Sequence, residues 1–189
     1  MSTFFLTHFL ALNIKEINEY ISNKPEVFLL TEIWRKYKPY IISVLIALAV
    51  GGLSALVTRG SMDIYKDLNQ PPLSPPGSVF PIVWGILFTL MGIGSACVWV
   101  RGQENGIDTK KPLTLYAVNL LVNFLWSVIF FNLRFYLLAV VWLILLIAII
   151  IAMIISFKIV CPWGAYIQIP YLIWCLFALY LTIGIYVLN

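Results

Sequence analysis

Residues 135–157 read FYLLAVVWLILLIAIIIAMIISF, a run without a charged side chain. An α-helix needs about 20 apolar residues to cross the roughly 30 Å hydrocarbon layer of a bilayer, so this run predicts a transmembrane helix. The whole chain agrees, because 62% of its 189 residues are apolar and 11% are charged, against about 25% charged in ordinary soluble domains. So few charges do not cover a water-soluble surface, and a soluble fold is excluded.

Four further apolar runs accompany this one, and each is long enough to span a bilayer. The predicted spans cover residues 40–57, 79–100, 112–131, 135–157 and 162–188. The linkers after the third and fourth spans are very short, so consecutive helices there are antiparallel neighbours. The predicted fold is an all-α integral membrane protein, with five antiparallel transmembrane helices in one bundle over residues 40–189.

The segments outside the spans are of two kinds. Residues 1–39 form a polar extension in which helical spacing of apolar positions predicts an interfacial amphipathic helix. The apolar run 4–14 lacks the preceding cations of a signal peptide, so we do not expect cleavage. The longest linker contains QPPLSPPGS (70–78), whose four prolines prevent a continuous helix. This linker must lie outside the hydrocarbon or be covered by protein.

The basic residues are unequally divided between the two ends of the bundle. Nine lie at the end that includes the N-terminal extension: Lys15, Lys24, Arg35, Lys36, Lys38, Arg101, Lys110, Lys111 and Lys158. Three lie at the other end: Arg59, Lys66 and Arg134. This bias predicts a cytoplasmic N-terminus, with the proline-rich linker on the opposite side of the cell membrane. Because the cations cluster beside spans, the net charge of +4 is not typical of nucleic-acid binding.

Several kinds of site are disfavoured by the residues that the spans lack. All eight acidic residues and His8 lie outside them, which disfavours an ion-coupled transporter and haem ligation through histidine. Cys97, Cys161 and Cys175 have no C-x-x-C spacing, so we interpret them as packing residues rather than a disulfide framework or a metal site. No metal is predicted.

Aromatic and amide side chains recur at helical spacing inside the spans. These stripes are Trp84, Phe88 and Met91 on the second span, Asn119, Asn123, Trp126 and Phe130 on the third, and Trp174, Ala178 and Leu181 on the fifth. Two asparagines one turn apart must bond either another helix or a polar ligand group, and both alternatives remain open. The fourth span is aliphatic on all faces, with Ala148 and Ala152 as a small pair, and is predicted to face lipid or a second protomer.

Three separate segments resemble one known family. IYKDLNQPPLSPPGSVFPIVWGILFTLMGIGSACVWV (64–100) resembles the first loop and second helix of the tryptophan-rich sensory protein or translocator protein family. NLLVNFLWSVIFFNLR (119–134) and PYLIWCLFALYLTIGIYVLN (170–189) resemble its third and fifth helices, in the same order and spacing. The resemblance covers residues 41–189 and implies five antiparallel helices, commonly as a homodimer in the bilayer.

The resemblance also implies a ligand and a site. The family binds porphyrins such as protoporphyrin IX, and requires no cofactor, in a cavity beneath the first loop. The pocket positions that it implies are Tyr65, Trp84, Phe88, Asn119, Val122, Asn123, Trp174 and Ala178. Indole and phenyl faces suit a flat conjugated ligand, and amides suit its polar edges. Arg59 and Lys66 are candidates to bind the two propionates at the cavity mouth.

The chain departs from the family pattern at Ile64, Ser78, Trp142 and Thr182. Ile64 and Ser78 stand where the family often has an aromatic residue, which weakens the expected stacking of the first loop on a porphyrin. No basic residue follows Tyr186, so we expect no specific cholesterol site. The leading hypothesis is a tetrapyrrole-binding sensor, scavenger or carrier. A second is a light- and oxygen-dependent porphyrin-degrading enzyme with Trp84 or Trp174 as electron donor, and a third is a membrane scaffold that recruits partners.

Overall fold

A computed structural model describes residues 25–61 and 64–189, apart from the side chains of 25–30, 64 and 66. The described residues form helices and connecting turns without a strand. The α-helices are α1 (Pro25–Thr58), α2 (Ile64–Asp67), α3 (Val79–Asn105), α4 (Lys110–Ser127), α5 (Tyr136–Val160), α6 (Pro162–Tyr166) and α7 (Ile169–Leu188). A 3-10 turn (Arg59–Ser61) follows α1, and a π-helical segment (Val128–Leu133) continues α4.

Within these residues five helical segments are long and apolar enough to cross a membrane, which confirms the predicted fold class. The spans are Thr31–Ser61, Val79–Asn105, Lys110–Leu133, Tyr136–Val160 and Pro162–Leu188. The second span continues five residues beyond the predicted end at residue 100, because its helix ends only where Gly106 adopts a left-handed conformation with φ 64°.

The chain divides between Pro39 and Tyr40 into two compact units. The unit Tyr40–Asn189 contains the cavity described below. In the first unit the described part, from Pro25, is helical. The run 4–14 and the apolar positions that predicted the interfacial helix, Ile14, Ile17, Tyr20 and Ile21, lie outside the described residues.

The fourth span is packed more deeply than the sequence predicted. Ala139, Leu143, Leu146, Ile150 and Met153 form a stripe along it that is at most 1% exposed, and the span contacts the second, third and fifth spans. The prediction that this helix faces lipid or a second protomer was therefore wrong for one face. Its opposite face, which carries the predicted small pair, is exposed. Aliphatic residues surround the helix, so composition alone does not distinguish its two faces.

A disulfide joins Cys97 on the second span to Cys161 at the turn between the fourth and fifth spans. The interpretation of these two cysteines as packing residues was wrong, because their 64-residue separation hides their proximity. The backbones also approach closely beside the bond: a Cβ on Gly94 would lie 2.8 Å from the carbonyl oxygen of Gly164. Cys175 is buried and outside any disulfide, as predicted for a packing residue.

Candidate functional site

A cavity of about 360 Å³ lies in the half of the bundle nearest the proline-rich linker. Ligand pockets in proteins typically have volumes of about 300–1,000 Å³. Its lining residues are Leu48, Gly51, Gly52, Ser54, Ala55, Thr58, Tyr65, Gly77, Phe80, Pro81, Trp84, Gly85, Phe88, Asn123, Trp126, Ser127, Phe130, Phe131, Ala178, Leu181, Thr182 and Ile185. They come from the linker and from the first, second, third and fifth spans. The cavity is therefore a product of the whole bundle rather than of one helix pair.

Aromatic rings from two spans form part of the cavity wall. On the second span the rings of Trp84 and Phe88 lie 5.7 Å apart at 34°. On the third span Trp126 and Phe130 are stacked, with centroids 5.4 Å apart. Spacings of four residues place each pair on one helix face. The site therefore offers aromatic surfaces from two different spans to a ligand.

A buried polar cluster adjoins these walls. The side-chain amide of Asn123 donates to the Tyr171 hydroxyl (2.8 Å), which donates to the Oδ1 of Asn119 (3.2 Å). Asn119 and Tyr171 are fully buried, and Asn123 is 3% exposed. The two asparagines thus bond a partner helix, which was one of the two alternatives. Asn123 also lines the cavity, whereas Asn119 lies behind it.

Two donors in lining residues lack an acceptor. The Tyr65 hydroxyl and the indole N–H of Trp126 are buried without a hydrogen-bond partner among the described residues. Burial raises the pKa of the Tyr65 phenol above its ordinary value of 10.0, and the nearby Ser74 hydroxyl, which donates to the Pro71 carbonyl and is not in hydrogen-bond geometry with Tyr65, lowers it by less. The phenol therefore remains protonated at neutral pH. Because an unpaired buried donor costs about 1–3 kcal/mol, both groups would gain from a ligand acceptor.

The proline-rich linker is tied across the end of the fifth span. The side-chain Oδ1 of Asn189 accepts from the backbone N–H of Asn69 (2.9 Å), and its Nδ2 donates to the carbonyl of Asn69 (3.1 Å). The Tyr180 hydroxyl donates to the carbonyl of Pro72 (2.8 Å). A Cβ on Gly184 would lie 2.5 Å from Pro71, so the linker packs directly on this helix. These contacts hold the linker beside the cavity, where Tyr65 and Gly77 complete its wall.

The cavity has no formal charge among its described lining residues. Two cations directly follow lining residues: Arg59, which follows Thr58 and is exposed, and Lys66, which follows Tyr65. The side chain of Lys66 lies outside the description. No group of His, Cys, Asp or Glu in the described ranges could hold a metal ion.

Residues 43–188 match the model of the TspO/MBR family. The chain belongs to this family. It is 33% identical over 145 residues to the tryptophan-rich protein TspO of Chlorobaculum tepidum, covering 76% of this chain and 91% of that protein. It is 35% identical over 129 residues to the translocator protein of Bos taurus, covering 68% and 76%. The protein CrtK of Rhodobacter capsulatus is 32% identical over 139 residues, covering 74% and 85%.

Five of the eight residues predicted for the pocket line this cavity: Tyr65, Trp84, Phe88, Asn123 and Ala178. The structure places the other three outside its lining. Asn119 is in the polar cluster, the Val122 carbonyl accepts from the indole N–H of Trp142 (2.9 Å), and Trp174 packs edge-on against Phe80, 5.9 Å away. Val122 and Trp174 thus support helix contacts beside the site in this TspO/MBR chain.

Sequence reasoning left several residues out of the predicted pocket, and three of them matter most here. Tyr171 holds both asparagines, and Trp126 and Phe130 form the aromatic wall on the third span. The spacing signal for the wall was present, since Trp126 and Phe130 continue the stripe of Asn119 and Asn123 on the third span. Tyr171 carried no signal, because the partners of its hydroxyl lie about 50 residues away in sequence.

Proposed function

We propose that this TspO/MBR membrane protein binds a porphyrin or a similar flat tetrapyrrole in the cavity, as a sensor, scavenger or carrier. Membership of a family that includes a tryptophan-rich sensory protein from Cereibacter sphaeroides supports a sensing or binding role. The observation that carries the proposal is the pair of aromatic walls, Trp84 with Phe88 and Trp126 with Phe130. A conjugated ring system is stabilised by offset stacking on aromatic side chains such as these.

The polar groups around the walls suit the edges of that ligand. The unpaired donors of Tyr65 and Trp126 would bond acceptor oxygens of the ligand, which in protoporphyrin IX belong to its two propionates. The two propionates require cations, and Arg59 beside the lining residue Thr58 is the proposed partner, with Lys66 as a second. In this arrangement the carboxylates lie at the cavity mouth and the ring lies in the bundle.

The proposal is tested by titrating the detergent-purified protein with protoporphyrin IX in the dark, following porphyrin absorbance. We expect saturable binding, weakened about two- to twelvefold by Trp84→Leu because a stacking interaction of about 0.5–1.5 kcal/mol is lost. Trp99→Phe is the matched control, since Trp99 lies on the same span, is 45% exposed and is outside the cavity lining. Equal affinities of all three proteins would contradict the proposal.

The propionate assignment has its own test. Arg59→Gln should weaken binding of protoporphyrin IX but leave binding of its dimethyl ester unchanged, because the ester carries no carboxylate. Arg134→Gln is the matched control, since Arg134 is predicted at the same end of the bundle and lies outside the cavity lining. An equal loss for acid and ester would show that Arg59 does not bind the carboxylates.

We also propose that the chain functions as a homodimer in the cell membrane, with a cytoplasmic N-terminus. The exposed face of the fourth span, which carries Ala148 and Ala152, supports a second protomer there. The proposed orientation places the Cys97–Cys161 bond at the cytoplasmic end, where thiols are kept reduced. Alkylation of intact cells before lysis should therefore find both thiols free, and a bond already formed in cells would argue for the opposite orientation.

A further inference from the structure

The first and second spans touch near their middle and separate towards the linker. At the contact, a Cβ on Gly92 would lie 2.5 Å from the Cα of Val44, and a Cβ on Gly51 would lie 2.5 Å from the Phe88 ring. No such contact occurs at the next residue of the first span, Gly52, or about one turn nearer the linker on the second span, at Gly85. A Cβ on Gly52 or on Gly85 would have no described atom within 4 Å. The two helices therefore form a wedge that is closed at Gly92 and open at Gly85.

The edges of this wedge are both exposed and part of the cavity lining. Leu48, Gly52 and Ala55 lie on one face of the first span at spacings of four and three residues, and all three are exposed. Pro81 is exposed and Gly85 half-buried on the facing edge of the second span. All five also line the cavity. Residues that are exposed and also line the cavity mark the place where the cavity opens to the outside of the bundle.

The chemistry of this opening matches lipid rather than water. Its five edge residues are apolar, and both edges belong to helices that cross the membrane. On the linker side, by contrast, hydrogen bonds from Asn189 and Tyr180 tie the chain across the end of the bundle. An apolar molecule dissolved in the bilayer therefore meets an edge of uncharged, apolar residues, whereas hydrogen bonds hold the linker in place at the other side of the cavity.

We propose that the opening between the first and second spans is a lateral portal, through which membrane-dissolved apolar ligands enter the cavity directly from the bilayer. The identity of the ligand rests on the proposed function, but the portal itself does not. Glycines at its edges keep it wide, and the Gly92 contact closes its inner end. A side chain added at Gly85 or Gly52 should therefore block passage without disturbing the packing of the bundle.

A thiol inside the cavity tests the portal without a porphyrin. Ser54 lines the cavity and is 8% exposed, so Ser54→Cys places a thiol behind the opening. In lipid nanodiscs we expect this thiol to react at least tenfold faster with uncharged N-ethylmaleimide than with a sulfonated maleimide, relative to glutathione. The parent protein gives the background from its own three cysteines, since Cys97, Cys161 and Cys175 are all buried.

Blocking variants in the same background complete the test. Gly85→Trp, and independently Gly52→Phe from the opposite edge, should slow the N-ethylmaleimide reaction at least tenfold. Ile82→Trp is the matched control, since Ile82 is on the same span, 65% exposed and outside the lining. Equal rates for the two reagents, or rates unchanged in both blocking variants, would overturn the portal.

The porphyrin itself separates this proposal from the proposed function. If protoporphyrin IX binds, its association from the bilayer should slow in Gly85→Trp and Gly52→Phe but not in Ile82→Trp. If it does not bind the parent protein, the proposed function fails, while the maleimide rates still decide the portal. Unchanged association in both blocking variants, with binding intact, would place the entry route elsewhere.

Discussion

The hydroxyl of Tyr171 is expected to hold the third and fifth spans together at the back of the cavity. Tyr171→Phe removes one oxygen that accepts from Asn123 (2.8 Å) and donates to Asn119 (3.2 Å). Both asparagines stay buried, at 3% and 0% exposure, so each loses a partner that water does not replace. Interhelical hydrogen bonds in membranes contribute about 0.6 kcal/mol on average and at most about 1.7. Two lost bonds therefore amount to roughly 1–3 kcal/mol.

Thermal unfolding of the detergent-purified protein measures this loss. A change of 1 kcal/mol shifts the midpoint of a domain of this size by about 2–4 °C, so Tyr171→Phe should unfold roughly 2–12 °C lower. The triple variant Tyr171→Phe, Asn119→Leu and Asn123→Leu removes every partner together and should recover most of the loss, because no unpaired polar group remains. An unchanged midpoint in Tyr171→Phe, or a triple variant weaker than the single one, would refute the role assigned to the cluster.

Three further predictions concern packing, covalent linkage and pH. Gly92→Ala should destabilise the protein by roughly 1–3 kcal/mol, because the added methyl group meets the backbone of the first span. In the same melting assay Gly52→Ala, on the open edge, should be neutral or stabilising. Equal effects of the two substitutions would contradict the wedge between the first and second spans. Replacement of both Cys97 and Cys161 by Ser should lower the free energy of unfolding by up to about 4 kcal/mol, since the bond closes a 64-residue loop. A reductant should lower the melting temperature of the parent protein but not that of the double variant. The raised pKa of Tyr65 means that, as pH rises, the unfolded chain releases this proton before the folded protein does. The free energy of unfolding therefore falls as pH rises above about 10. Tyr65→Phe should show a smaller fall in melting temperature between pH 9 and 11, and equal falls in the two proteins would contradict the assignment.

The number and type of secondary-structure elements were predictable because transmembrane helices are encoded locally. A run such as 135–157 is apolar over its full length, and the requirement to satisfy its backbone in lipid leaves the helix as its structure. Helical spacing also identified real side-chain neighbours, since Trp84 and Phe88 line one wall. The motif at 64–100 pointed to the same fold independently, and the family match over residues 43–188 confirmed it.

Side-chain partners on different helices were not predictable from local pattern. The buried stripe that includes Leu143 could not be distinguished on a helix that is aliphatic all round. Tyr171 was missed because a hydroxyl on one helix reveals nothing about amides on another. Trp174 fits the spacing of a pocket residue, yet its ring packs against Phe80. Spacing specifies the face of a helix but not the rotation of that helix within the bundle.

The sequence by itself determined that this protein lies in a membrane as five helices, because length and hydropathy are properties of each segment taken alone. Only the tertiary structure decided that Cys97 meets Cys161, that Asn189 ties down the linker at Asn69, and that the first and second spans separate to leave an opening. Each of these depends on how helices distant in sequence cross and rotate. That arrangement follows from close packing of all the side chains together, so no single segment specifies it.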